Sequence, residues 1–150
     1  VLIILSLHGP PSFEREHEEI HRQLKGLINS KGDTSKAAEA VAEVLHSHFE
    51  KEEKLASPVL GALRPYVEGK LSVKGRTKAA KIAFAFNKEY ERMLGEHKAI
   101  IKALDELERT AKSEKRKDAL KFVEDLKVHA TMEEEVLYPA VIMLGRLLEG

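Results

Sequence analysis

The chain contains no cysteine and no tryptophan. Without cysteine there is no disulfide framework, no thiolate metal site, no iron–sulfur cluster and no cysteine nucleophile. Three tyrosines and five phenylalanines are too few for a platform that stacks single-stranded nucleic acid. A surplus of one charge is also missing: 25 Lys and Arg balance 25 Asp and Glu. That balance argues against holding nucleic acid by phosphate neutralisation. No apolar run approaches the ~20 residues that cross a bilayer, so neither nucleic acid nor membrane is expected as a partner. The apolar start, Val1 to Leu7, lacks the basic flank and small-residue cleavage pattern of a secretory signal. It is expected to lie against the rest of the chain or against an oligomer partner, and the protein is expected to be cytoplasmic. The sequence leaves the oligomeric state open.

What is present points to helices. A length of 150 residues suits one domain, 43% hydrophobic residues can build a core, and 33% charged residues is high. Asn occurs twice and Gln once, a scarcity of thermolabile side chains reported for thermophile proteins. The abundance of Glu, Lys, Ala and Leu equally suits a long-helix protein.

Apolar positions recur at helical spacing from Ser12 onward. Phe13, His17, Ile20, Leu24 and Leu27 follow steps of 4, 3, 4 and 3. Ser12 is the expected N-cap of this first helix, and Ser30-Lys-Gly-Asp33 ends it, leaving Asp33 or Thr34 to cap the second. The second stripe is Ala37, Val41, Val44, His48, Glu52 and Leu55, with Ser57-Pro58 expected to kink or end it. Gly61, Pro65, Gly69 and Gly75 read as a loop. A third helix is expected from about Thr77 to Thr110, with stripe Phe86, Tyr90, Met93, His97, Ile100, Leu104 and Leu107. A fourth runs from about Ser113 nearly to the end, with stripe Ala119, Val123, Leu126, His129, Glu133, Val136, Ala140 and Leu144. No strand-like alternation of useful length appears. The fold class is therefore all-α, an antiparallel up-down four-helix bundle. One domain is expected over 1–150, with the bundle at about 12–145 and residues 1–11 as an extension.

Residues that do not belong in a core interrupt these stripes. Each stripe carries a His, and two carry a Glu four positions later: His48-x-x-x-Glu52 and His129-x-x-x-Glu133. That spacing puts both groups on one helix face, one turn apart. A core seam does not hold an ionised carboxylate unless something pairs with it. The pattern also repeats. Glu16-His17 through Leu24 aligns with Glu96-His97 through Leu104, and His48 through Glu53 aligns with His129 through Glu134. Pro58 and Pro139 each follow the paired His by ten residues. Two hairpins of one pattern, related by a pseudo-twofold axis, form a natural frame for two metal ions bridged by two carboxylates. Taken singly, a seam His is ordinarily a hydrogen-bonded core residue and a His-x-x-x-Glu a surface pair; their repeated combination is what points to metal. Mixed imidazole and carboxylate donors without sulfur suit iron, manganese or zinc. Ligation needs neutral imidazole and ionised carboxylate, so binding is expected to weaken in mild acid.

Other features read as incidental. Glu18-x-x-His21 and Glu43-x-x-His46 have the spacing of ferritin-type di-metal sites. Glu43 and His46 fall off the stripe, and the later helices supply no matching pair, so both read as coincidence on Glu-rich helices. Tyr90 and Tyr138 are placed to reach the interior, although a seam tyrosine is ordinarily packing. Met93 and Met132 read as gap fillers. His8 and His46 have no seam position.

The pattern resembles the hemerythrin-like family, the HHE cation-binding domain, over roughly residues 12 to 145. His48 through Glu53 followed by Pro58, and His129 through Tyr138-Pro139, carry the resemblance. It implies a non-haem di-iron centre with Glu52 and Glu133 bridging, an oxo or hydroxo bridge, and His17, His48, His97 and His129 as terminal ligands. Oxygen-carrying members place His-x-x-x-His on the third helix; here the second position is Ile101. The extra imidazole lies instead on the first helix as His21, aligned with Ile101 in the repeat, and is expected as a fifth imidazole ligand. Five imidazoles leave one position open on two six-coordinate irons, and four leave two open. The implied function is binding of dioxygen or a related small diatomic or peroxide ligand, for transport, sensing or iron handling. No nucleophile–base arrangement appears, so binding is expected rather than catalysis. An oxidoreductase acting on peroxide, oxygen or nitric oxide is the alternative, and a purely structural or regulatory bundle the second alternative.

Overall fold

Proline and glycine set where the helices start and stop. The computed structural model describes residues 7–149, so the expected packing of the apolar start falls almost wholly outside the described residues. Helix α1 spans Pro11–Ile28. Its N-cap is Pro10 rather than Ser12, because Pro11 takes the first helical position, where a missing N–H costs nothing. Helix α2 spans Asp33–Leu55, and Gly32 supplies its N-cap with a left-handed φ of 88°. The Glu114 carboxylate accepts the Thr34 N–H at 2.7 Å and so caps α2 from 80 residues further along the chain.

Pro58 ends α2 as expected, but the loop expected after it is a helix. Helix α3 spans Ser57–Val67 and buries Val59, Leu60 and Ala62. Pro58 sits in its first turn and Pro65 in its last, so neither breaks it; packing against the neighbouring helices overrides the glycine and proline signals. A methyl group at Gly61 would lie 1.7 Å from the His8 carbonyl oxygen. Glycine is therefore what lets the segment before α1 lie directly on α3. Helix α4 spans Val73–Ser113 and begins earlier than expected, because the Ser72 hydroxyl accepts the Gly75 N–H at 3.0 Å.

The last rod is α5, Lys117–Met132, a π-helical turn at Glu133–Leu137, and α6, Tyr138–Glu149. A proline ring at 139 clashes with a carbonyl one turn back, and widening the preceding turn is a usual accommodation. The wide turn adds a residue to the register. Val136 is consequently exposed (55%) and Ala140 half-buried, whereas Tyr138 and Val141 are buried. The expected stripe is corrected there by one step. Val44, Leu55 and Tyr90 are likewise half-buried at the seam edge, and Leu45 and Phe49 fill the core beside them.

The four rods form a bundle with two apolar clusters. One contains Leu24, Leu45, Phe49, Leu104 and Leu126. The other contains Phe13, Leu60, Phe86, Met93, Tyr138 and Leu144. On three rods polar seam residues fall between them: His17 between Phe13 and Ile20, His97 between Met93 and Ile100, Glu133 between Leu126 and Tyr138. Among the described residues no helix is long and apolar enough to cross a membrane.

Candidate metal centre

Helical spacing brings six polar side chains to one level of the bundle. His17 comes from α1, His48 and Glu52 from α2, His97 from α4, His129 from α5 and Glu133 from the π turn. Each is at most 3% exposed. They fall into two groups whose donor atoms can converge on an ion: His48, Glu52, His97 and Glu133, and His17, His129 and Glu133.

Glu133 belongs to both groups, and its two oxygens face different ways. Oε1 lies 3.1 Å from His97 Nε2. Oε2 lies 3.1 Å from His129 Nε2 and 3.8 Å from His17 Nε2. Glu52 Oε1 lies 3.3 Å from His48 Nε2 and 3.7 Å from His17 Nε2. Every histidine thus turns Nε2 inward.

The outer nitrogens face carboxylates. His48 Nδ1 pairs with Glu96 at 2.9 Å and His129 Nδ1 with Glu16. Glu134 lies 3.2 Å from His97 Nδ1, and Glu53 lies 4.0 Å from His17 Nδ1. A ring that donates Nδ1–H to a carboxylate keeps an Nε2 lone pair for a cation. These four carboxylates obey the pseudo-twofold relation of the sequence: Glu16 corresponds to Glu96, and Glu53 to Glu134. They were not singled out in the sequence, although the repeated Glu-His and Glu-Glu dipeptides carry them. On Glu-rich helices such dipeptides look like solvated surface.

Tyr138 is the other residue whose part the sequence left undecided. Its buried hydroxyl donates to Glu52 Oε2 at 2.9 Å and lies 3.2 Å from His48 Nε2 and 3.1 Å from His97 Nε2. The π turn puts it there. His21 takes a different place. It is exposed, meets the Phe49 ring edge-on at 5.1 Å, and belongs to neither donor group.

The electrostatics of these side chains suit a cation. Burial, reinforced by the neighbouring Glu133, holds the Glu52 carboxyl well above its ordinary pKa. Burial also opposes charge on Glu133, yet the neighbouring Glu52, His129, His17 and His97 outweigh it and hold Glu133 well below. Burial lowers His48, while at His129 the pull of Glu133 and Glu16 overcomes burial and raises the pKa. Burial and the two carboxylates push the Tyr138 phenol up, so it stays a hydrogen-bond donor. Both ring nitrogens of His17, Glu52 Oε1 and His97 Nδ1 are buried without a hydrogen bond. A buried polar atom left unsatisfied costs about 1–3 kcal/mol. Two of these atoms, His17 Nε2 and Glu52 Oε1, face each other at the focus, as donor atoms awaiting a cation do, so the residues fit a metal.

Residues 84–148 match the model of the "Hemerythrin HHE cation binding domain". No curated protein and no solved structure matches the chain. The match takes in His97, His129, Glu133 and Tyr138, while the other hairpin contributes His17, His48 and Glu52 to the same cluster. A four-helix bundle closed around buried His and Glu groups is consistent with the hemerythrin fold, and residues 84–148 are similar to the hemerythrin HHE cation-binding domain.

Proposed function

We propose that the chain holds a dinuclear iron centre that binds dioxygen or a related small molecule. The observation that carries this reading is Glu133, whose Oε1 faces His97 and whose Oε2 faces His129 and His17. One carboxylate shared between two imidazole groups is the arrangement of a bridge. The proposed ligands are His48, Glu52, His97 and Glu133 for one ion, and His17, His129 and Glu133 for the other. The unpartnered Glu52 Oε1, between His48 and His17, is placed to serve both. Nitrogen and carboxylate donors favour iron, with manganese and zinc as the other cations of that preference.

When bound, the irons supply redox chemistry and open coordination positions. The chain's own residues do the rest. Glu16, Glu53, Glu96 and Glu134 orient the imidazoles. The Tyr138 hydroxyl holds a proton against Glu52. Phe49, stacked on the His17 ring at 3.9 Å, and Phe13, at 4.3 Å from it, keep that ring in an apolar wall.

A second reading has its own observation. With His21 outside both donor groups, four imidazoles leave more open positions than a carrier requires. That favours an oxidoreductase acting on peroxide, oxygen or nitric oxide. The two are separated by exposing anaerobically iron-loaded protein to oxygen and to peroxide. Reversible spectral change on removing oxygen supports binding. Turnover above that of free iron, lost in Glu52→Ala and Glu133→Ala, supports the enzyme. Absence of metal uptake contradicts both. A His21→Ala protein is expected to keep the wild-type ligand-field spectrum, and a changed spectrum would return His21 to the ligand set.

A further inference from the structure

One side of the buried cluster opens outward. A cavity of about 360 Å³ lies between the segment before α1, the first turns of α1 and the junction of α2 with α3. His17 lines it, 2% exposed and with neither ring nitrogen in a hydrogen bond. The remaining wall is mixed, with Leu7, Phe13 and Pro58 set among charged and polar side chains. Glu14, Glu18 and Glu53 supply carboxylates, and His8 and His21 supply imidazoles. Glu18 and His21 are three residues apart on α1 and so share a face of the helix. Glu53, on α2, lines the same cavity as His21. These are oxygen and nitrogen donors of the kind that hold borderline divalent cations.

We propose that Glu18, His21 and Glu53 form an outer capture site, where a divalent cation of the iron, manganese, cobalt and zinc class pauses before passing inward to His17. This rests on the reading that the inner cluster is a metal centre. It gives the Glu18-x-x-His21 spacing a use, and it accounts for an imidazole that faces the cavity without joining the inner groups.

The opposite hairpin offers no equivalent passage. Five residues after Glu52 the chain places Ser57, which lines the cavity. Five residues after Glu133 it places Tyr138, whose ring fills the corresponding space and whose hydroxyl engages Glu52. A second acidic cavity, lined by Glu16, Glu19, Glu124 and Asp125, reaches His129. There, however, the outward nitrogen of the imidazole is already taken by Glu16. Of the two cavities, the His17 side combines an acidic mouth with a donor at its floor that no hydrogen bond engages.

The test is stopped-flow mixing of the metal-free full chain with Co²⁺, following the d–d absorption of the inner site. Carboxylates at a cleft raise the arrival rate of an opposite charge by a factor of ~10 or more, and salt weakens that effect. Glu18→Gln/His21→Ala is expected to load about tenfold more slowly, with less dependence on ionic strength. Its final cobalt stoichiometry and melting temperature should match wild type, which separates a route from a structural role. Glu124→Gln/Asp125→Asn, at the rival cavity, is expected to load at the wild-type rate. Equal rates for wild type and the Glu18/His21 variant overturn the proposal and leave the inner centre standing. Slow loading of the Glu124/Asp125 variant alone overturns it in favour of the other passage. A wild-type chain that takes up no cobalt overturns the metal centre itself, and the capture site with it.

Discussion

The two hairpins carry one pattern of ligating side chains but end it differently. In the first, α2 stops at Leu55 and a new helix starts at Ser57. In the second, the helix continues through a π turn and delivers Tyr138 to the interior. The consequence is a site plugged on one side and open on the other. His97 Nε2 has Glu133 and the Tyr138 hydroxyl within 3.1 Å, whereas His17 Nε2 makes no hydrogen bond and lies 3.7 Å from Glu52. Duplicated ligand spacing makes the frame symmetric, and one added residue in a helical turn makes the chemistry asymmetric.

The largest expected effect comes from removing what the two sides share. Glu133→Ala should abolish stable binding of both ions, because both donor groups use that carboxylate. The loss should exceed the ~10–100-fold that follows removal of an outer-shell partner. Equilibrium dialysis against ferrous iron checks it, and one ion retained at full affinity would show that the two positions are independent.

The outer carboxylates sharpen the comparison. Glu96→Ala should weaken metal binding by about 10–100-fold, since Glu96 pairs with His48 Nδ1 at 2.9 Å and is itself tied to Lys51. Glu53→Ala should cost less at equilibrium, because Glu53 is 57% exposed and 4.0 Å from His17. Competition with a coloured chelator ranks the two, and a reversed order would contradict the assignment of outer partners.

Acid should act through Glu52. Its pKa in the metal-free fold is raised by burial and by Glu133, so the carboxyl is protonated above the ordinary carboxylate range. Metal binding needs the carboxylate and must release that proton. Apparent affinity should therefore rise with pH up to the raised pKa, by about tenfold per unit for one proton, and level off above it. In the metal-free protein the same shift favours the fold at low pH, and that contribution fades as pH rises through the raised value. Isothermal titration at several pH values with buffers of different ionisation enthalpy counts the protons. Zero release would contradict the raised Glu52 pKa.

The smallest effect concerns the plug. Tyr138→Phe keeps the ring but removes the hydroxyl, leaving Glu52 Oε2 without its donor. The metal-free protein should lose about 1–3 kcal/mol of stability, read by urea denaturation. Unchanged stability would mean that water replaces the hydroxyl and that this side is not sealed.

Much of this was legible because periodicity survives tertiary context. His17, His48, Glu52, His97, His129 and Glu133 stand at seam positions in the sequence and are buried in the structure. The misreadings share one cause. At α3, Gly61 and Pro65 signal a loop, yet Val59, Leu60 and Ala62 pack against the bundle and hold a helix. At residues 133–137 the choice between an ordinary and a wide turn depends on how Pro139 and Tyr138 settle against neighbours. Fixed spacing along one strip of residues cannot register that choice, so it puts Val136 on the seam, where the structure exposes it, and leaves the part of Tyr138 open. His21 occupies the repeat position of a possible ligand, but the seam on α1 runs through His17, Ile20 and Leu24. A residue one position past Ile20 faces outward.

The most direct test of the central claim is an anaerobic ferrous titration of metal-stripped protein, reading iron bound per chain at saturation. Two irons per chain is the predicted result, because Glu133 offers one oxygen to each of two imidazole groups. Saturation at one would contradict the bridge and leave a mononuclear site, and no uptake would contradict the metal centre.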